Sequence, residues 1–267
     1  MSTTPDSPRW DAARYHRLSD PQLGWARRVL ERLPLSGGET VLDCGCGSGR
    51  VSALLLERLP RGRLIALDRS ADMVREAHRW LSQQPLAGRT RVVLGDAAAL
   101  PLRGTIDAIL STATFHWVVD QDTLARQLFA ALKPGGRLVV QMGGGPNVES
   151  LHRRVRARMA EPRWAGAFAG WRQPWVFPTP EQACERLRRA GFVDVRAWLE
   201  PQPTPFPDRA AYGEFVAHVV LHAVLARQPE SARDEFLAPM LDAAGRDDPP
   251  YTLDYWRLNL DARRPGA

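Results

Sequence analysis

Short apolar runs of strand length alternate with amphipathic stretches through the first half of the chain. "TVLDCG", "RLIALD", "TRVVLGD", "IDAILSTATF" and "RLVVQM" are brief, aliphatic and bounded by turn residues, as buried strands are. Between them, "RVSALLLERL" (stopped at "PRG"), "ADMVREAHRWLSQQ" with Ser70 at its N-cap, and Gln121 to Leu132 space their apolar residues as helices do. The fourth strand is expected to end at Phe115, and "KPGG" reads as a stop and turn ahead of the fifth. Strands alternating with helices in units this short predict a parallel sheet covered on both faces. The expected fold class is α/β, a doubly wound, mostly parallel sheet.

Beyond Met142 the pattern loosens. "GGGPNVESLHRRVRARM" predicts a loop and helix, and "EPRWAGAFAGWRQPWVFP" an irregular aromatic segment. "TPEQACERLRRAG" predicts a helix closed by Gly191, and "FVDVRAWLEP" a sixth strand. A rigid crossing from Pro201 to Pro207, a largely helical stretch from Arg209 to Met240 and a last strand in "YTLDYWRLNL" complete the chain. The late helical stretches are expected to lie over the carboxyl edge of the sheet.

With 267 residues and 44% hydrophobic content, the chain can bury one large core. The net charge of +6 suits nucleic acid or an anionic small substrate, but the basic groups are scattered among acids, and compositional drift toward arginine explains them better. The densest cluster, "LHRRVRARM", reads as a solvated helix face. The three cysteines form neither a disulfide framework nor a zinc pattern. Cys44 and Cys46 lie in a glycine turn without two further ligands nearby, so no metal is expected. A reducing compartment, no apolar leader and no long apolar run lead to the expectation of a cytoplasmic protein with no membrane partner.

The candidate chemistry begins at "VLDCGCGSGR", where Gly45, Gly47 and Gly49 follow an apolar run ending in Asp43. In an open parallel sheet ligands bind outside the carboxyl ends of the strands, beside the first strand where the winding reverses. The spacing departs from the dinucleotide fingerprint, so a pyrophosphate is not the expected ligand. Asp68 ends the second strand 19 residues past Gly49, and Asp96 ends the third. Each acid alone could be a strand-end cap.

The motif resembles the nucleotide loop of class I S-adenosylmethionine-dependent methyltransferases, which have a Rossmann-like sheet. The resemblance implies S-adenosyl-L-methionine as cofactor, with Asp68 on the ribose hydroxyls and Asp96 on the adenine amino group. Ala97 would read a ring nitrogen through its amide, and Asp43 would face the methionine ammonium. Tyr15, Gly45, Cys46, Gly47, Gly49, Arg69 and Ser111 complete the expected cofactor site, with Trp10 and Tyr15 closing over it. The implied organisation is an N-terminal helical cap (1–34), a cofactor-binding core (35–145), a lid insertion (146–178), a return to the core (179–205), a helical lid insertion (206–248) and a last strand and tail (249–267).

For the acceptor, "STATFHWVVD" follows the fourth strand. "FHWVVD" resembles the motif of carboxyl methyltransferases of the juvenile hormone acid and plant SABATH groups, in which a tryptophan indole binds the substrate carboxylate. "RYHRLSDPQLGWARRVLERL" resembles the start of the juvenile hormone acid enzymes, and the later segments "WLEPQPTPFPD" and "YTLDYWRLNLDARRP" resemble trans-aconitate methyltransferase-like proteins. The resemblance implies Gln22 and Trp117 as donors to the carboxylate of a small acid, giving a methyl ester. His116 is a third donor, a base for a hydroxyl or amine acceptor, or a packed strand-end side chain. Trp164, Trp171 and Trp175 line an apolar pocket or fill the core of the lid. Arg172 and Arg257 are candidates for a second acid group, both weighed as more at home on the solvated surface. Methylation of O, N or C on another metabolite is the nearest rival, and a non-catalytic binding module a further one. A nucleic-acid partner is not expected: no RNA-binding module is appended, and no N/D-P-P-Y/F motif follows the fourth strand.

Overall fold

The computed structural model of the protein describes residues 20–266. Helix α1 spans Asp20–Glu31 and is followed by β1 (Thr40–Cys44), α2 (Arg50–Glu57), β2 (Arg63–Asp68), α3 (Ala71–Leu81), β3 (Thr90–Leu94), β4 (Ile106–Thr112), α4 (Gln121–Ala131) and β5 (Leu132–Gly143). The remainder comprises α5 (Glu149–Met159), α6 (Pro180–Arg189), β6 (Val193–Pro201), β7 (Thr204–Pro205), α7 (Arg209–Phe215), α8 (Glu230–Ala244), β8 (Thr252–Leu253) and β9 (Trp256–Arg263). Seven strands form one sheet in the order β3-β2-β1-β4-β5-β9-β6; β9 runs antiparallel to both its neighbours and the first five strands are parallel. Between β1 and β4 the winding changes direction, which opens a crevice at their carboxyl ends.

The central strands are buried on both faces, which is why they read as continuous apolar runs. Leu42 and Ile109, partners across β1 and β4, are fully buried, and burying a leucine or isoleucine side chain contributes about 1.5–3 kcal/mol. Helix α3 places Met73, Ala77 and Leu81 on one buried stripe, and the Ser70 side chain accepts from the Met73 amide as the sequence predicts. Helix α6 opens with a reciprocal capping box between Thr179 and Gln182. Helix α1 is held against the sheet by Arg32, which donates to the Val140 carbonyl at 2.8 Å and stacks over Trp198 at 4.7 Å.

Two expected boundaries move. β4 ends at Thr112 rather than Phe115, because Ala113 takes φ +53° and turns the chain, leaving Phe115–Trp117 as a 3₁₀ turn. "KPGG" is not a turn but the bulged start of β5. The Gly135 amide donates to the carbonyls of Arg264 and Pro265, and Lys133 pairs with Asp107 at 2.8 Å, so tertiary partners hold a sequence that locally favours a turn.

Residues of α5, α7 and α8 share a second apolar cluster with Trp164, Phe168 and Trp175. Between α7 and α8 the segment Val216–Val220 is π-helical, an insertion that rotates side chains relative to a regular helix. Among the described residues no helix is long and apolar enough to cross a membrane.

Candidate functional site

The glycine loop sits at the crevice between β1 and β4. Gly45, Gly47 and Gly49 adopt φ of +86°, +53° and +86°. The need for glycine is sharpest at Gly45, where a Cβ would fall 2.1 Å from Thr114 Cγ2. The Gly45 and Cys46 amides both donate to the Leu67 carbonyl, at 2.7 and 2.9 Å. Thr114 Oγ1 donates to the Gly45 carbonyl at 3.0 Å, tying the loop to the segment after β4. That segment is fastened again by Ser111, whose buried hydroxyl donates to the Cys44 carbonyl at 2.7 Å.

Three acids stand where the sequence places them, at or just past the ends of β1, β2 and β3. Asp43 is fully buried; Oδ2 accepts from Ser52 Oγ at 2.5 Å and Oδ1 has no hydrogen-bond partner. Burial pushes its carboxyl up to about 7, opposed by the Ser52 hydrogen bond and reinforced by the charge of Asp68. Asp68 accepts from the Gly47 and Ser70 amides, both at 2.9 Å. Burial raises its pKa, against the lowering effect of those amides and of exposed Arg69. Asp96 is exposed and caps the turn Ala97–Ala99 through the Ala98 amide at 2.8 Å, while Ala97 is buried.

An adenosyl amino acid fits these groups. A buried carboxylate oxygen without a partner suits an ammonium, and Asp68 keeps lone pairs beyond the two it gives to amides. Cys46 would offer its backbone alone, since its side chain packs with Ala66, Ala77 and Leu81. Burial raises both Cys44 and Cys46 thiols well above their ordinary values, so neither is a nucleophile at neutral pH. No group of three His, Cys, Asp or Glu side chains able to hold a metal occurs among the described residues.

Beside this crevice lies an open-mouthed pocket. His116, Trp117, His152, Trp175, Phe177 and Arg257 line it, with Val219 and Val220 of the π-helical segment on one side. His116 is 8% exposed, and its Nδ1 accepts from the Gly143 amide at 3.3 Å. Burial, helped by the charge of Arg257, holds its pKa well below the usual histidine range. Trp117 packs between His116, Trp175 and His222, at ring separations of 5.3, 5.7 and 5.1 Å.

Arg257 departs from expectation. It is 3% exposed rather than solvated, with its guanidinium 4.6 Å from the Trp25 ring and 5.1 Å from that of Tyr255. Arg172 is exposed, as expected. Of the three tryptophans between β5 and α6, Trp175 lines the pocket, Trp164 is core against Phe236, and Trp171 packs on Phe168. Gln22 belongs to α1, but its side chain lies outside the described residues, as do Trp10 and Tyr15 entirely. Sequence reasoning missed Thr114, Asn147 and His152. His152 hid in "LHRRVRARM": Arg153 and Arg156 are exposed and Arg154 and Arg158 half-buried, while Leu151, His152 and Val155 form the buried stripe of the same helix.

Residues 41–136 match a family model described as a methyltransferase domain. A trans-aconitate 2-methyltransferase from Azoarcus sp. (strain BH72) is 30% identical over 259 residues, 97% of this chain and 92% of that protein. Another, from Paracidovorax citrulli (strain AAC00-1), is 32% identical over 273 aligned positions, 96% of this chain and 98% of the relative. Among solved structures, phosphoethanolamine N-methyltransferase 2 of Haemonchus contortus in complex with S-adenosyl-L-methionine superposes with a TM-score of 0.62 at 17% identity, covering 95% of this chain and 56% of that one. That likeness is one of fold.

Proposed function

Since the chain belongs to the family of S-adenosylmethionine-dependent methyltransferases that includes the trans-aconitate 2-methyltransferases, we propose that it methylates a carboxylate oxygen of a small acid, releasing a methyl ester. S-adenosylmethionine supplies an electrophilic methyl group on a sulfonium. Asp43 would hold its ammonium, Asp68 its ribose hydroxyls, and Asp96 with the Ala97 amide its adenine. The glycine loop lets the backbone approach closely. Gln22, Trp117 and His116 would hold the acceptor.

The observation that carries this reading is the hydrogen bond from the Gly143 amide to His116 Nδ1. With that lone pair occupied and the ring kept neutral, the single imidazole proton sits on Nε2. Nε2 can then donate to an anion but cannot take a proton. A carboxylate needs no base, because with a reference pKa of about 4 it is already ionised at pH 7. The work left to the site is orientation and exclusion of water, to which an aromatic lining is suited.

The test is transfer of labelled methyl to a panel of carboxylic acids, alcohols and amines, followed by mild alkali. Base-labile label on an acid is expected, with kcat at saturating cofactor flat between pH 6 and 8. Base-stable label on a hydroxyl or amine, with an inflection near neutrality, would replace this reading with general-base catalysis by His116.

Asp43 makes a separate prediction. Its carboxyl, raised to about 7, is mostly protonated at pH 6 in the free enzyme, and a cation beside it demands the charged form, so binding releases a proton. The Kd for S-adenosylmethionine is therefore expected to weaken about tenfold per pH unit below 7. Calorimetry in two buffers of different ionisation heat reads the proton directly, and a Kd unchanged from pH 5.5 to 8 would contradict it. The sign for stability is opposite: the folded state keeps a proton that the unfolded chain has lost, so this group lowers the stability of the free enzyme as pH rises from about 4 to about 7.

A further inference from the structure

Building on the carboxylate reading above, we propose that His152 is a further acceptor-binding residue, which hydrogen-bonds a polar group of the acid other than the carboxylate that is methylated. The observation is a polar ring set into the pocket wall through its faces. His152 lines the pocket and is 5% exposed. It stacks nearly parallel on Trp175, at 5.0 Å and 18°, and on Phe177, at 5.7 Å and 15°. Such contacts engage ring faces and not ring nitrogens, and neither nitrogen has a hydrogen bond among the described residues. The backbone beneath it is fixed as well. The Val148 amide donates to the Asp254 carbonyl at 3.0 Å, the Ser150 amide to the Asp254 carboxylate at 3.1 Å, and the His152 amide to the Val148 carbonyl at 3.0 Å.

A histidine so placed does poorly as core. Buried polar atoms left without partners destabilise a fold, and leucine or phenylalanine would fill the same stripe of α5, beside Leu151 and Val155, without that penalty. As a binding group it is well prepared. Burial lowers its pKa to about 4, opposed by the charges of Glu149 and Asp254 and helped by that of Arg156. At pH 7 the ring is therefore neutral, with one N–H to donate and one lone pair to accept. Stacking holds the ring plane and leaves both tautomers open, so the group it meets can be a hydroxyl, a carbonyl or a second carboxyl. Phe177 packs against both His152 and His116, and Trp175 against both His152 and Trp117. An aromatic ring thus links His152 to each of the two pocket residues that would hold the reacting carboxylate, and it meets the acceptor at a separate point.

The experiment compares acids with and without such a group and requires no turnover. With S-adenosylhomocysteine bound, tryptophan fluorescence follows titration with (E)-2-butenoic acid, with its 4-hydroxy derivative, and with trans-aconitate, an alkene acid bearing two further carboxyls. At least one of the two substituted acids is expected to bind the parent protein about fivefold or more tightly than the unsubstituted one, the penalty for leaving a buried polar group unmatched. His152→Phe keeps an aromatic ring in the stack and removes both nitrogens. It is expected to bring the three acids within about twofold of one another and to leave the unsubstituted acid within about threefold of its parent affinity. His152→Gln keeps a donor and an acceptor, loses the stack, and is expected to retain part of the preference. The Tm of His152→Phe should match or exceed that of the parent, because an apolar ring replaces a polar one; if overpacking lowers it, His152→Leu takes its place. S-adenosylhomocysteine affinity serves as the control that each variant is folded.

A preference that survives in His152→Phe, or one lost equally in His152→Gln, overturns the inference and leaves the carboxylate reading standing, since the ring would then serve packing. So does a parent protein that binds the three acids alike or favours the unsubstituted one. If none of the three binds, the inference falls too, and labelled methyl going only to hydroxyl or amine acceptors would show that the carboxylate reading fails with it.

Discussion

Gly45→Ala is expected to unfold the cofactor site and lose S-adenosylmethionine binding altogether. The added Cβ would lie 2.1, 2.3 and 2.5 Å from Thr114 Cγ2, Oγ1 and Cβ, closer than real carbon contacts allow, so Thr114 must leave and its hydrogen bond to the Gly45 carbonyl goes with it. A left-handed backbone costs a residue with a Cβ about 1–2 kcal/mol and overpacking about 1–3 kcal/mol more. For a chain of this size a loss of about 2–5 kcal/mol lowers Tm by roughly 5–20 °C. Thermal denaturation and equilibrium binding read the two effects. Combining the change with Thr114→Gly removes the clash but not the dihedral cost, so the double variant should recover part of the lost stability. A single variant with normal Tm and Kd would show that the loop accommodates the methyl, and would sink the account of why glycine stands there.

Asp68→Ala should separate affinity from stability. Its carboxylate takes the Gly47 and Ser70 amides from inside the protein and would take the ribose hydroxyls from outside. Hydrogen bonds to a charged group are worth about 1.5–3 kcal/mol each, so losing two from the ribose should weaken the cofactor by about 10²–10⁴-fold. The free enzyme should suffer less, because removing a buried charge offsets the two orphaned amides. The expected result is a collapse in cofactor affinity with a Tm within a few degrees of the parent. Affinity within about threefold of the parent would remove Asp68 from the binding site.

The strand-end acids and glycine turn of the candidate site were legible because parallel-sheet chemistry collects at strand ends, and apolar runs betray where strands end. Asp43, Asp68 and Asp96 each follow such a run, and glycines in a strand-to-helix turn have few other uses. The pocket beside them was less legible, because its residues come from segments without period. Arg257 looks like a surface residue on base rates for arginine. Only the pairing of β9 between β5 and β6 places it inside, beneath Trp25 of α1. Thr114 carries no signal, since its role is set by a glycine 69 residues away. "KPGG" misled for the same reason: its partners, the carbonyls of Arg264 and Pro265, lie at the far end of the chain. Tertiary contacts decide such positions, and local pattern does not contain them.

Beside one backbone bond of its own, from the Gly49 amide to the Cys46 carbonyl at 3.0 Å, the glycine loop is fastened to its neighbours. Its amides hang from the Leu67 carbonyl and the Asp68 carboxylate, and a carbonyl is gripped by Thr114. Glycine-rich turns are commonly the fast-moving parts of a protein, but Leu67 and Asp68 end β2, which is paired on both sides, and paired strands of a sheet are among the last elements to open in a folded domain. Fluctuation of this turn is therefore slaved to breathing of the sheet.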